Sequence, residues 1–472
     1  MCMLEANYKK NKINLEDYDY QQDIKNRLLM SHFSTLDIEM LEAILYSPIS
    51  FPAEKLFKSL SLSPTEGWEA LKKLDGTSLF SIQGTEVHVD KEMRKYFEHQ
   101  IIKFDDEFTP GMEFLQTLLK KVPIHVLPSW YPIPRTSNNI FDSLVEKYLA
   151  TPQIFQRYLS DLNFGDERMN GIVKTVFNSP NYEIASSVLL EKFHLTKQDL
   201  EEIILQLEFN FVCCLVYRKK GDEYEEFVTL FSEWKEYLQF LSESQPQPIK
   251  DITTIVPYRP HHFSFIDDLS SLLKLIQKKS LPLVLMDERW HFDRAIVASV
   301  EESLGGSIPK GYLSRLIHKI LFLKLGNISE STLQPLPGIG EFLAMPQEKR
   351  ALSMYKHTIT YYPYSEFTSK LSTERNIHEI ENSLARVIHS GWVYYDHFLN
   401  GVIVPISESS KVMLKKKGRS WHYSLPDYTP DEKRLIKLIT QEWLFEAGVI
   451  ALGLHEDRVC MQVTPLGKQM FS

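Results

Sequence analysis

Apolar positions recur at helical spacing along most of the chain, and the helices they predict fall into groups of three followed by an alternating hairpin. In residues 31–105, Ile38, Leu41, Ile44 and Leu45 form one helical stripe. Pro52 opens a second helix carrying Leu56, Phe57 and Leu60. Ser63-Pro64 caps a third, with Trp68, Leu71 and Leu74 on one face. LFSIQGTEVHV then reads as two short strands around Gln83-Gly84.

The grammar repeats over 166–241. MNGIVKTVF, IASSVLLEKFHL and a Thr196-capped LTKQDLEEIILQLEF predict three helices, and FVCCLVYRKKGDEYEEFVTLF predicts two strands around Lys220-Gly221. Over 263–365 the helices are LSSLLKLI, DRAIVASVEES and GYLSRLIHKILFLKL, with LPLVLMDERWHF as a strand or hairpin after the first. The last group, 366–472, has helices in NSLARVI and TPDEKRLIKLITQEWLFEA and closes on the strand VCMQVT. Residues 1–30 read as a polar tail or one loose helix, 106–165 as a proline-rich and helical connector, and 242–262 as a proline-rich linker. The predicted fold is mainly α (α+β), an array of three to four winged helix-turn-helix modules with short hairpin wings. Two junctions, VTPLG at 463–467 and LQPLPGIG at 333–340, both run from a strand through Pro and Gly into a helix, and they suggest a repeated unit.

Composition sharpens this picture in a few places. At 472 residues with 43% hydrophobic content the chain has material for several cores. No apolar run approaches the ~20 residues that span a bilayer, and MCMLEANYKKNK lacks a signal-peptide core, so a cytoplasmic location without membrane contact is expected. The four cysteines, at 2, 213, 214 and 460, lie without metal or disulfide spacing, and Cys213-Cys214 reads as a pair of structural thiols on a strand.

Catalytic patterns are missing. The chain has no phosphate-cradling G-x-x-x-x-G-K-[ST], no H-E-x-x-H and no G-x-S-x-G. Asp287-Glu288 and His291 are spaced one residue too far apart for a helicase D-E-x-H box. The expectation is a protein that is not an enzyme and needs no metal or cofactor.

Charge divides the modules. A net charge of −9 opposes nonspecific coating of DNA but leaves room for a local basic face. The third helices of the first two modules carry Glu66, Glu69, Asp199, Glu201 and Glu202, which suits a protein partner better than phosphate. In the third module Lys310, Arg315 and Lys319 occur with no acid among them, and Arg315 and Lys319 share a helix face. The last module has KVMLKKKGRSWH, with Lys411, Lys415, Lys416, Lys417 and Arg419 beside Trp421. This stretch is the strongest candidate for phosphate contact. Arg218, Lys219 and Lys220 mark a second basic tip.

From about residue 265 onward the wording resembles a family. DRAIV, LSRLIHKILFLKLG, GEFLAMPQEKR, EAGVIALGL and MQVTPLG are similar to the winged-helix, helicase-associated region found beside the motor of XPB-type DNA repair helicases. The resemblance implies a winged-helix fold and a context of DNA repair, transcription or helicase assistance, with duplex or forked DNA as the partner. No motor accompanies it here. The alternative expectation is a protein–protein adaptor without a nucleic-acid role.

Overall fold

A computed structural model describes residues 20–114, 116, 145–161, 166–287, 289–305, 308–309, 311–358, 371–418 and 420–471. The chain is a mixed helix-and-strand protein with small antiparallel sheets. It divides into two compact units: Met1–Gln239 with Met413–Ser424, and Phe240–Val412 with Leu425–Ser472.

The first unit begins with α1 (Tyr20–Met30), then α2 (Thr35–Leu45), β1 (Ser50–Pro52), α3 (Ala53–Ser59), α4 (Pro64–Leu74), β2 (Phe80–Gln83), β3 (Glu86–Val89) and α5 (Lys91–Gln100). It continues with α6 (Pro152–Asp161), α7 (Glu167–Phe177), β4 (Glu183–Ala185), α8 (Ser186–Phe193), α9 (Lys197–Phe209), β5 (Cys213–Lys220), β6 (Glu223–Leu230) and α10 (Ser232–Glu243). The second unit contains β7 (Val256–Pro257), α11 (Ser264–Ile276), β8 (Leu281–Met286), β9 (Arg289–Phe292), α12 (Arg294–Ser303), α13 (Tyr312–Phe322), β10 (Gly326–Ser329), β11 (Thr332–Pro335), α14 (Ile339–Ala344) and α15 (Gln347–Thr358). Next come α16 (Glu374–Asn382), β12 (Val393–Tyr394), α17 (Tyr395–Asn400), the excursion β13 (Leu414–Lys417) and β14 (Ser420–Tyr423), then α18 (Pro430–Lys437), β15 (Ile450–His455), β16 (Arg458–Val463) and α19 (Pro465–Phe471).

One order recurs four times among the described residues. A helix leads to a short strand, two more helices follow, and two strands close the group; in the third β9 follows the first strand, and in the fourth the β13–β14 ribbon separates the two helices. In each group the strand after the first helix pairs with the last strand of the closing hairpin, which pairs with the other: β1-β3-β2, β4-β6-β5, β8-β11-β10 and β12-β16-β15, with β9 added beside β8 and β7 beside β15. The local sequence explains why the helices start where they do. Ser63 with Glu66, Thr196 with Asp199 and Thr429 with Glu432 form capping boxes at the starts of α4, α9 and α18, the third helices of their groups.

The structure corrects three sequence expectations about boundaries. The polar start contains α1, whose Arg27 is buried, so at least its second half belongs to the folded unit. The 242–262 stretch is more than a linker: Val256 and Pro257 pair with β15, and Ile249 N–H donates to Trp392 O at 2.8 Å. The third and fourth groups share one apolar core that runs from Phe265 to Val463 and includes Leu316, Ile320, Trp443 and Ile450.

The two junctions that looked alike differ in their packing. Thr464 Oγ1 donates to Gly448 O at 2.7 Å and accepts the Gly467 N–H at 3.2 Å, so Thr464 caps α19 with Pro465 in the first position. A Cβ on Gly467 would lie 2.3 Å from Val449 O and 2.8 Å from Val463 Cγ1. Gly340 in the earlier junction has nothing within 4 Å of the same point, and α14 starts without a side-chain cap. Gly467→Ala is therefore expected to cost about 1–3 kcal/mol, because backbone must move. Gly340→Ala should be neutral or stabilising by up to about 1 kcal/mol. Urea midpoints of the two variants check this, and equal shifts would refute it.

Candidate nucleic-acid interface

Arg315 and Lys319 lie one helical turn apart on α13, as their spacing requires. Both face an acid from elsewhere. Lys319 Nζ sits 2.8 Å from Glu446 and Arg315 Nε 3.6 Å from the same carboxylate, and all three side chains are largely buried. The Arg315 guanidinium also lies 5.9 Å over the Phe445 ring. These cations neutralise Glu446 and are withdrawn from the candidate phosphate contacts. No acid on the same helix answers these cations, and Glu446 is more than a hundred positions away in the chain. Lys310 falls outside the described residues, as does Arg419.

The β5–β6 tip is likewise engaged. Arg218 donates to Phe108 O at 3.0 Å and pairs with Glu183 at 3.5 Å. Lys220 pairs with Glu225 at 2.9 Å. The Lys219 backbone N–H donates to Asp106 at 3.1 Å, while its side chain is exposed. The tip itself meets the start of α2, where Thr35 N–H donates to Asp222 O at 2.9 Å. A tip held this way is a poor groove contact, and only the Lys219 side chain keeps the expected freedom.

The acids of the third helices also have local uses. Glu66 and Asp199 close capping boxes, and the two hydrogen bonds to Ser63 hold the Glu66 carboxyl below its ordinary range. Glu201, Glu202 and Glu208 are buried. Arg27 Nη2 reaches Glu208 at 2.6 Å and its Nε reaches Asp23 at 3.1 Å, while Lys103 Nζ meets Glu208 at 2.8 Å. Lys197 pairs with Glu201 at 3.1 Å and with Glu226. Burial opposes ionisation of Glu208, but Arg27 and Lys103 outweigh it and hold its carboxyl well below the usual range. The acidity that suggested a partner-facing α9 is thus largely internal. Cys213 and Cys214 are fully buried in β5 beside this network, and burial pushes both thiols up.

What remains is the ribbon β13–β14. It pairs Leu414 with Tyr423, Lys415 with His422, Lys416 with Trp421 and Lys417 with Ser420, and Gly418 takes φ +67° at the turn. Its foot is fixed, and His422 above it bonds Glu236 at 3.0 Å. Tyr423 Oη donates to Leu149 O at 2.9 Å, Leu414 N–H donates to Ala150 O at 2.9 Å, and the Tyr423 ring lies 5.6 Å from Tyr237 and 6.1 Å from Trp234. Lys415, Lys416 and Lys417 are exposed and form no ion pair among the described residues. The Lys416 ammonium lies 6.0 Å over the Trp421 ring. Lys411, just before the ribbon, pairs with Glu408. The ribbon is inserted between α17 and α18 and packs with the N-terminal unit, so it is separate from the closing hairpin β15–β16 of the last group. Its aromatic foot carries no local signal in KVMLKKKGRSWH, because the partner rings come from α10.

At that foot Glu233 is buried and accepts the Met112 N–H at 2.7 Å. Burial pushes its carboxyl up from 4.5 to about 7. Below pH ~4.5 the folded and unfolded states both hold the proton, and stability is full. As pH rises toward ~7 the unfolded state releases it first, and stability falls by roughly 3 kcal/mol. Glu233→Gln keeps the acceptor and does not titrate. It should gain on the wild type between about pH 5 and about pH 8 in urea midpoints, and a constant difference would contradict the assignment.

Among the described residues no group of three His, Cys, Asp or Glu side chains is placed to hold a metal ion. No described helix is long and apolar enough to cross a membrane. No family model matches the chain, and neither a curated protein nor a solved structure matches it.

Proposed function

We propose that this chain is a non-catalytic, nucleic-acid-binding array of winged-helix modules that works beside helicases in DNA repair or transcription. The recurring strand order and the capped third helices support the winged-helix reading. The observation that carries the binding role is the ribbon: three consecutive exposed lysines on a hairpin whose foot is locked by aromatic packing. A two-stranded ribbon can lie along a groove or a backbone without a recognition helix. Contact through Lys415, Lys416 and Lys417 with duplex or forked DNA would be dominated by phosphate, and so would carry little sequence preference.

Fluorescence anisotropy of the full chain against duplex, forked and single-stranded DNA over ~50–300 mM salt tests the reading. Three neutralised phosphates give a log–log slope near −2.7. Absence of binding at low salt would sink it and leave the second reading, a protein–protein adaptor. That reading draws on the net charge of −9 and on the exposed Val284, Leu285 and Met286 of β8.

A further inference from the structure

A cavity of about 200 Å³ lies between the β4-β6-β5 sheet and the first half of α10, within the N-terminal unit. It is smaller than the sites of drug-sized ligands and suits a compact ion. Ser232, Lys235 and Gln239 reach it together, because residues spaced three and four apart share a helix face. Arg218 enters from β5 and Glu183 from β4.

Charge is out of balance at this point. Glu183 stands between two cations, 3.5 Å from Arg218 Nη2 and 3.9 Å from Lys235 Nζ. Both distances exceed the roughly 2.7–2.9 Å of a charge-assisted N–H···O bond, so one carboxylate is shared and neither cation is well answered. The Arg218, Lys235 and Glu183 side chains are 26%, 25% and 21% exposed, which leaves water little room to make up the difference. Arg218 turns Nη1 to Phe108 O at 3.0 Å and to Asp106 O at 3.3 Å, both neutral acceptors. Glu236 also lines the cavity, but its side chain is 54% exposed and is turned to His422 Nδ1 at 3.0 Å.

Chemistry narrows the occupant. An organic cation would put a third positive group beside Arg218 and Lys235. An apolar molecule would strip both of water with nothing in return. A phosphate dianion would bring one negative charge too many next to Glu183 and Glu236. A carboxylate carries the single charge in deficit, and its planar pair of oxygens matches the donor fork of a guanidinium. The Gln239 amide, one turn beyond Lys235, adds a neutral donor.

We propose that this cavity binds a small carboxylate anion, held between the Arg218 guanidinium and the Lys235 ammonium with the Gln239 amide beside it. The site does not use the exposed lysines of β13, so it stands or falls independently of the nucleic-acid reading.

Ligand-observed NMR titration of the full chain with glycolate, in a buffer free of other carboxylates and of phosphate, tests it. Saturable binding with a Kd of about 10 mM or tighter is expected, and the neutral glycolamide should give none. Lys235→Gln should weaken glycolate about 10-fold, and Arg218→Gln at least as much. No saturation by about 50 mM glycolate, equal binding of glycolamide, tighter binding of inorganic phosphate, or full affinity in Lys235→Gln would overturn the proposal. Arg218→Gln also gives up the bond to Phe108 O, so melting curves show whether it is folded, and Lys235→Gln decides if it is not.

Discussion

Glu208→Ala is expected to destabilise the N-terminal unit by about 3–5 kcal/mol, because it removes one partner from a buried ionic cluster. The Glu208 carboxylate accepts from Arg27 at 2.6 Å, from Lys103 at 2.8 Å and from the Leu215 N–H at 3.1 Å. Arg27 would keep Asp23 at 3.1 Å, but Lys103 would lose the one carboxylate it touches among the described residues. A buried ammonium without a counter-charge is the expensive product. The triple replacement Arg27→Met, Lys103→Met, Glu208→Leu should recover most of the loss, since desolvation then falls with the charges. Urea unfolding at neutral pH measures both, and a Glu208→Ala cost below about 1 kcal/mol would contradict the account. The cluster also has a defined acid response. The Glu208 carboxyl is held below its unfolded value of 4.5, so its contribution is fully present above that pH and is lost as pH falls below it. Glu208→Gln should remove this part of the acid sensitivity.

Reversing Lys415, Lys416 and Lys417 to Glu should lower DNA affinity by about 10²–10³-fold near 100 mM salt and flatten the salt slope by about 2.7. The side chains are exposed and unpaired among the described residues, so the folded state should tolerate the change to within about 0.5 kcal/mol. Lys319→Gln is the control. It should leave DNA binding unchanged yet destabilise the second unit, because Glu446 would lose its 2.8 Å partner. Undiminished affinity in the triple variant, with the control behaving as stated, would remove the ribbon from the interface.

Local grammar was readable and long-range pairing was not. Ser63-Pro64 and Thr196 announced helix starts because a capping box involves only four consecutive residues. The Gly84 and Gly221 hairpin turns announced themselves in the same way, both at positive φ. The Arg27–Glu208 bond joins residues 181 positions apart, and nothing near either one points to the other. For the same reason α9 looked like an acidic surface and α13 like a basic one. In each case the missing half of the charge balance came from another element. The three ribbon lysines remained readable as a candidate because no distant acid answers them among the described residues.

Insertion of Met413–Ser424 into the packing of the N-terminal unit has a consequence for synthesis on the ribosome. The chain emerges in order, so Trp234 and Tyr237 are made well before Tyr423, the ring that packs beside them. At about 5–20 residues per second the intervening stretch takes roughly 10–40 s to translate. During that interval the nascent N-terminal segment presents an aromatic face without its cover, and it cannot reach its final form before most of the C-terminal sequence exists. Vectorial folding, domain by domain, is closed to this chain: its first unit is completed nearly last.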